Sequence, residues 1–371
     1  MKVWPALGIV LIQTFLLSAH WFVFHTLTTF WTFDPGEKTG VGLVLLLLGF
    51  SFVFATMLGF YFSGPGVQFL YLLASLWLGL FNYLFWAACL SWTIDLPLRL
   101  ASVGWEPAMR PRIATAFFDA AILVSFFGVI YARFIPLRRI TIELPNLPDS
   151  WRGRTALLAS DLHLGNLNRT GFARRIARIA SRLNPDLIFI PGDLYDGVKA
   201  DPARLAAPLL ALSPPLGVFY SGGNHEEFGD PKAYFDAAAH GGAHVLSNSR
   251  VDVDGVAIIG ITYALSTRPL PMRTFLEGLH LDPAKPSILL NHVPNRLPLV
   301  EQAGVSLQLS GHTHCGQFLP FTWITRRAFG KFTYGLQRFG KLQVLTSSGA
   351  GTWGPPMRIG SSSEVVLITF A

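Results

Sequence analysis

Charge is spread so unevenly along this chain that it demands two kinds of fold. Of 29 basic and 22 acidic side chains, only 11 lie within residues 1–135, and long apolar runs fill the gaps between them. Residues 41–62 pass 22 positions without a charge. At about 1.5 Å per residue, a helix of that length covers roughly 33 Å, enough to cross a hydrocarbon core. Four spans are expected, at 6–31, 41–62, 69–92 and 113–134, parted by polar joints such as Asp34-Pro35-Gly36 and Ser63-Gly64-Pro65-Gly66. The first is too long for a cleaved leader, has only Lys2 as a basic start and is followed by three more, so it is expected to be retained.

An even number of spans puts both ends of the membrane region on one side. Lys2, Arg133, Arg138, Arg139, Arg152 and Arg154 flank that side, against Lys38, Arg99, Arg110 and Arg112 opposite. The bias places the second half of the chain in the cytoplasm, at an inner membrane. His20, His25, Asn82 and Asp119 fall mostly near span ends, where snorkelling or interhelical hydrogen bonds account for them. Cys89 lies inside a span and Cys315 far from it, so no disulfide framework is expected. The net charge of +7 comes without an aromatic-interleaved basic stripe, which argues against nucleic acid and for anionic lipid headgroups as partners.

Residues 136–150 are punctuated by Leu144-Pro145 and Leu147-Pro148 and read as an extended tether. From 151 to 371, short apolar runs alternate with amphipathic ones, as strands alternate with helices in an α/β domain. Strands are expected at 155–160, 186–191, 217–221, 256–262, 287–291, 306–309, 343–347 and 364–370, with helices at 172–183 and 202–212. Short polar segments sit where the strands stop: Asp161-Leu162-His163, Gly192-Asp193-Leu194-Tyr195-Asp196, Gly223-Asn224-His225-Glu226, Asn291-His292 and Gly311-His312-Thr313-His314. Open α/β sheets place their ligands at such loops.

These segments hold what a pair of divalent ions about 3.5 to 4 Å apart needs, a bridging carboxylate and imidazoles to fix each ion. Asp193, in a Gly-Asp turn, is the natural bridge, because Gly192 lets the backbone approach closely. The i, i+2 spacing of Asp161 and His163 puts both on one face of an extended strand end, and His312 and His314 share that spacing. Asn224 offers a neutral amide oxygen and His292 an imidazole. Asp, Asn and His ligands suit Mn, Fe and Zn alike.

In this order, DxH, GDxxD, GNHE, an isolated His and GHTH resemble the calcineurin-like metallophosphoesterases over about residues 150–371. The resemblance implies a four-layer fold, two packed β-sheets flanked by helices, following the transmembrane region. It implies one ion held by Asp161, His163, Asp193 and His314, and a second by Asp193, Asn224, His292 and His312. His225, oriented by Asp196, would be the general acid. The stretch from Cys315-Gly316-Gln317 through Tyr334-Gly335-Leu336 to Ser348-Gly349-Ala350-Gly351-Thr352 and Met357-Arg358 is similar to a bacterial membrane-associated phosphodiesterase branch. Protein serine/threonine phosphatases carry Arg where this chain has Gly197 and Gly222, so a protein phosphatase is disfavoured. Cys315 is read as a packing residue and not as a ligand.

Glu226 and Glu227 read as a solvated turn before a helix starting near Pro231. Arg326, Arg327 and Arg358 stand in a loop-rich tail with Phe318, Phe321, Trp323 and Phe329, a mixture suited to holding an anionic headgroup at a bilayer. The expected activity is hydrolysis of a phosphodiester or pyrophosphate of a lipid or lipid-linked molecule. By resemblance to membrane-bound phosphoesterases of lipid A synthesis, a UDP-linked diacylglucosamine is one such substrate. Two readings stand beside it: a metal-binding membrane sensor or scaffold, and a periplasmic phosphoesterase of the same chemistry.

Overall fold

A computed structural model describes residues 3–101 and 109–371, with side chains from Leu7 onward. Lys2 and Glu106 lie outside the described residues. The chain divides into two compact units, one built mainly from residues up to Ile130 and the other from Tyr131 to Trp353 and Arg358 to Ala371.

The first unit consists of the helices α1 (Val3–Phe30), α2 (Pro35–Tyr61), α3 (Pro65–Leu100) and α4 (Met109–Tyr131). All four are long and apolar enough to cross a membrane. Two of them outrun the apolar stretches. In α2, Asp34 accepts from the Glu37 backbone while the Glu37 carboxylate accepts from the Asp34 N–H, and this capping box starts the helix at Pro35. In α3 the helix runs past Trp92 because buried Asp95 is neutralised by Arg99 (2.7 Å) and Arg110 (2.6 Å). His20 is used between helices, accepting from Trp77 Nε1 at 3.0 Å and stacking on Phe81. Trp92 Nε1 donates likewise to Thr26.

The second unit holds twelve strands in two sheets of six. These are β1 (Leu137–Ile142), β2 (Thr155–Leu158), β3 (Leu187–Ile190), β4 (Val218–Tyr220), β5 (Ala243–Val245), β6 (Ser249–Val253), β7 (Val256–Gly260), β8 (Ser287–Leu290), β9 (Leu307–Ser310), β10 (Gly335–Phe339), β11 (Leu342–Thr346) and β12 (Val365–Phe370). One sheet has the order β1-β12-β2-β3-β4-β5 and the other β10-β11-β9-β8-β7-β6. Strands β2 to β5 run parallel, as do β7, β8, β9 and β11, so both sheets send their carboxyl ends to one region.

The central strands are apolar on both faces because both faces are covered. In β3, Leu187 and Phe189 join the core between the sheets, while Ile188 and Ile190 face the core under α5 (Thr170–Leu183) and α6 (Pro202–Leu210). In β8, Ile288 and Leu290 face the same inter-sheet core. Leu289 packs instead beneath later helices. The remaining helices are α7 (Asn224–Phe228), α8 (Pro231–His240), α9 (Tyr263–Ser266), α10 (Pro269–Gly278), α11 (Leu297–Gln302) and α12 (Phe321–Phe329). Two mixed six-stranded sheets with flanking helices, preceded by four long apolar helices, make up the fold.

The stretch expected as a tether is part of this domain. Residues 137–142 form β1, parallel to β12 from Leu137↔Val365 to Ile142↔Phe370. Leu144, Leu147 and Trp151 are buried in the inter-sheet core, with Trp151 Nε1 donating to the Val253 carbonyl at 3.0 Å. The prolines that suggest a linker follow the strand and leave its ladder intact. Ile142→Ala removes a fully buried side chain and should cost about 2–5 kcal/mol, lowering Tm by roughly 10 °C. Calorimetry of the detergent-solubilised chain measures this. A shift as small as that of exposed Arg139→Ala would return β1 to the role of a tether.

Candidate metal centre

Each polar segment lies just past the carboxyl end of a parallel strand: Asp161 and His163 after β2, Asp193 and Asp196 after β3, Asn224 and His225 after β4, His292 after β8, His312 and His314 after β9. The expected seven ligands, and the expected acid with its partner, therefore converge from both sheets. Asp161, His163, Asp193, His292, His225 and Asp196 are buried.

Their local conformation differs from the strand-end geometry expected of DxH and HxH. Asp161, His163, Asp193, His312 and His314 all adopt left-handed backbone, with φ between 47° and 67°. Left-handed non-glycine residues are uncommon and cost of order 1–3 kcal/mol each where strained. Here the bends turn backbone donors inward, so that Asp161 N–H donates to the Gly192 carbonyl at 3.2 Å and His163 N–H to that of Asp193 at 3.0 Å. Side chains at i and i+2 are aimed by these bends and not by strand alternation.

Glycine is required where loops meet. A Cβ on Gly223 would collide with Asp193 Oδ1, and Gly192, at φ 111°, lies against the His292 ring. A side chain at either position would push the bridging loop away from its neighbours.

The distances set out three overlapping clusters among the described residues. Asp161, His163 and His314 form one, His163, Asp193 and His225 a second, and Asp161, Asp193 and His292 a third, each with ligand atoms within 4.8 Å of one another. Asp193 Oδ2 stands between them, 3.1 Å from His292 Nε2 and 3.8 Å from His163 Nε2. Asp161 Oδ1 lies 3.5 Å from His314 Nε2 and 3.9 Å from His292 Nε2. His163 Nε2 and His314 Nε2 are 3.0 Å apart. His312 Nδ1 donates to Asn224 Oδ1 at 2.9 Å, and His292 Nδ1 to the Pro191 carbonyl at 3.0 Å. Both contacts fix Nδ1 as a donor.

Two carboxylates this deep need positive charge. Backbone donors supply part of it, from His312 N–H to Asp161 Oδ1 and from His225 N–H to Asp193 Oδ1, both at 2.9 Å. Protons supply more. Burial opposes a charge on His225 and His292, yet Asp193 and its neighbours push both up to about 9. Burial alone would raise Asp193, but His292 and His225 hold it well below the usual carboxylate range. Burial, followed by the nearby His292, pushes His312 down to about 3. Burial, His163 and Arg358 lower His314 as well. Asp161 Oδ2 and His292 Nε2 remain buried without a hydrogen bond. Convergent imidazoles, buried carboxylates and orphaned ligand atoms are a donor set that fits a pair of divalent cations.

Asp196 links the clusters to the expected acid, its Oδ1 lying 3.4 Å from His225 Nδ1 and 3.3 Å from His163 Nδ1. The carboxylate thus lies between both rings, and His225 Nδ1 donates to the Asp196 backbone carbonyl at 3.2 Å. Exposed Phe228 and Trp353 pack edge-on against His225, at centroid distances of 5.0 and 5.7 Å.

Two residues have roles that their sequence context hides. Glu226 lies within α7, fully buried, and its carboxylate accepts from the backbone N–H groups of Asp193 (3.1 Å), Tyr195 (2.9 Å) and Gly223 (2.7 Å). It pins the Asp193 turn to the Asn224 turn. Burial, then Asp193, raises its carboxyl above the usual range. Glu227 faces outward and accepts from Ala264 N–H, so only one member of the pair is a solvated turn residue. The signal was Glu at the third position of a short helix whose N-cap is a glycine.

Arg358 is 1% exposed. Its guanidinium donates to the carbonyls of His314 (2.7 Å), Ser348 (2.7 Å) and Gly351 (2.8 Å). It ties the GHTH loop to the 348–351 loop and presents no free face to a substrate. Arg326 and Arg327 are exposed on α12.

The fold and site define a metallophosphoesterase, and comparison agrees. Residues 155–316 match the family model described as Calcineurin-like phosphoesterase. The chain is 31% identical over 255 residues to an uncharacterized metallophosphoesterase of Aquifex aeolicus, covering 67% of this chain and 97% of that one. It is 29% identical over 297 residues to an uncharacterized metallophosphoesterase of Campylobacter jejuni, covering 77% and 78%. A transmembrane protein with metallophosphoesterase domain from Danio rerio is 32% identical over 289 residues, 72% of this chain and 64% of that one. The chain belongs to the calcineurin-like phosphoesterase family. It is a membrane-anchored, metal-dependent phosphoesterase.

Glu226→Gln places an amide N–H₂ among three backbone donors, and each buried group left unmet costs about 1–3 kcal/mol. Bound metal per chain, read by elemental analysis, should fall by at least half, whereas Glu227→Gln should retain the wild-type content. Equal metal content in the two variants would show that Glu226 does not set the ligand loops.

Proposed function

We propose that the chain hydrolyses a phosphodiester or pyrophosphate bond of a lipid or lipid-linked molecule, as a member of the bacterial membrane-associated phosphodiesterase branch. The observation that carries the chemistry is Asp193 Oδ2 standing between His163 and His292, with His225 and Asp196 intact beside it. Asp161, His163, Asp193 and His314 would hold one ion and Asp193, Asn224, His292 and His312 the other, drawn from Mn, Fe or Zn. When bound, two such ions polarise phosphoryl oxygens and lower the pKa of water. His225, its Nδ1 turned to Asp196, presents Nε2 for the leaving oxygen and delivers the proton there. Such proton transfer contributes about 10² to 10⁴ in rate.

The four apolar helices support a substrate already resident in the membrane, and a UDP-linked diacylglucosamine diphosphate is one member of that class. Apolar Phe228 and Trp353 at the rim of the site suit a substrate with an apolar part. The sensor reading predicts metal binding without turnover, and the retained His225–Asp196 pair speaks against it.

The test is hydrolysis of bis-p-nitrophenyl phosphate by detergent-purified protein, stripped of metal and resupplied with Mn²⁺. Turnover should return with the metal and vanish in Asp193→Ala. In His225→Ala it should fall by about 10² or more, with bound metal retained. Metal binding without turnover would favour the sensor.

We further propose that the catalytic domain faces the cytoplasm at an inner membrane, on the strength of the basic residues flanking the helices. A phosphatase reporter fused after Ala371, active only outside the cytoplasm, should be silent. An active fusion would make this a periplasmic phosphoesterase.

A further inference from the structure

Between Glu301 and Glu364 the chain has no acidic residue and six basic ones: Arg326, Arg327, Lys331, Arg338, Lys341 and Arg358. Arg358 is spent inside the fold. Of the others, three gather on α12 and the turn that follows it, Gly330–Thr333. Across α12, Thr322 is buried and Thr325 and Phe329 are half-buried, so this face of the helix turns inward. Phe321 (44% exposed), Trp323 (66%) and Ile324 (57%) turn outward beside Arg326 and Arg327. Trp, Phe and Ile left exposed among arginines on a nine-residue helix make an amphipathic surface of the kind that lies in a headgroup layer.

We propose that α12 docks on the anionic phospholipid surface of the membrane that this chain spans, holding the metal centre at the headgroup level. The proposal deepens the lipid-substrate reading and rests on it for its purpose, though not for its test. Three observations carry it. The charge is of one sign over the whole segment, and acidic headgroups complement it.

The second is the chain path. Arg138 stacks its guanidinium over the Tyr334 ring at 4.9 Å, just past the turn that follows α12. Six residues lie between Arg138 and Tyr131, the last residue of α4, and the seven steps of extended chain reach at most roughly 25 Å. The α12 end of the domain therefore adjoins β1, the first strand after the last candidate span.

The third is rigidity. At its start α12 packs on the ligand loop so closely that a Cβ on Gly316 would collide with the Thr322 backbone. At its far end Thr333 Oγ1 donates to the Gly330 and Thr325 carbonyls, and Thr313 Oγ1 donates to the Thr333 carbonyl at 2.7 Å. Phe329 reaches the His312 ring, with centroids 6.1 Å apart. A helix fixed in this way to the loop that carries His312 and His314 sets the depth of the centre when it docks.

The test places an environment-sensitive fluorophore at Trp323→Cys in the full chain, with Cys89→Ser and Cys315→Ser. A control probe sits at Asp252→Cys, on β6 at the opposite edge of that sheet from β10. The protein is reconstituted in vesicles of phosphatidylcholine with phosphatidylglycerol. Nitroxide lipids should quench the probe at 323 at least threefold more than the probe at 252. Replacing Arg326 and Arg327 with Ala, or omitting phosphatidylglycerol, should reduce that quenching by half or more. Equal quenching of both probes by aqueous iodide, with none by lipid nitroxides, overturns the proposal. Protection that grows with protein density and ignores the nitroxides overturns it too, in favour of a second copy on α12. Fluorescence needs neither turnover nor metal, so failure of docking and failure of the phosphoesterase reading are seen separately.

Discussion

Two carboxylates taken fully out of water govern the rest of this domain. Asp161 and Asp193 are 0% and 1% exposed, and an uncompensated buried charge costs several kcal/mol. Compensation comes from backbone N–H groups of His312 and His225 and from imidazoles on four loops. Each source demands something of the chain: glycine where loops touch, left-handed backbone where a residue must turn a donor inward, and a scaffold that brings distant segments to one point.

The two sheets supply the scaffold. Their parallel strands end together, so five loops from segments as far apart as Asp161 and His314 meet within hydrogen-bonding distance. Precision then comes from residues that touch no substrate. Glu226 fastens two ligand turns through three backbone donors, and Arg358 fastens the GHTH loop to the 348–351 loop through carbonyls. One acts as a collector of N–H groups and the other of C=O groups. Both are buried ions whose partners are backbone dipoles, a use of charge that fixes geometry more than it adds stability.

The residues that converge at the candidate site were legible in the sequence because their chemistry is carried by residue type: Asp, Asn and His after apolar runs have few other reasons to recur in that order. Strands such as β3 were legible for the same reason, since an unbroken Leu187-Ile188-Phe189-Ile190 run needs cover on both faces. Residues whose role lies in the backbone they hold were not. Glu226 and Arg358 look like surface charges until the carbonyls and amides around them are placed. β1 was hidden by Pro145 and Pro148, which follow it, and its pairing with β12 spans the whole domain and leaves no local mark. Left-handed φ at Asp161, His163, His312 and His314 is set by loop-to-loop hydrogen bonds, which no i, i+2 pattern encodes.

The exposed residues of α12 fit neither of the two ordinary fates of a surface. An apolar helix side in a monomeric domain is normally buried, and a solvated basic one normally carries acidic neighbours that limit self-repulsion. Here Trp323 and Ile324 are bare and no acidic side chain occurs for more than twenty residues on either side. A chain already held at a bilayer by four apolar helices resolves both conflicts at once, because a headgroup layer solvates the arginines and covers the aromatic rings.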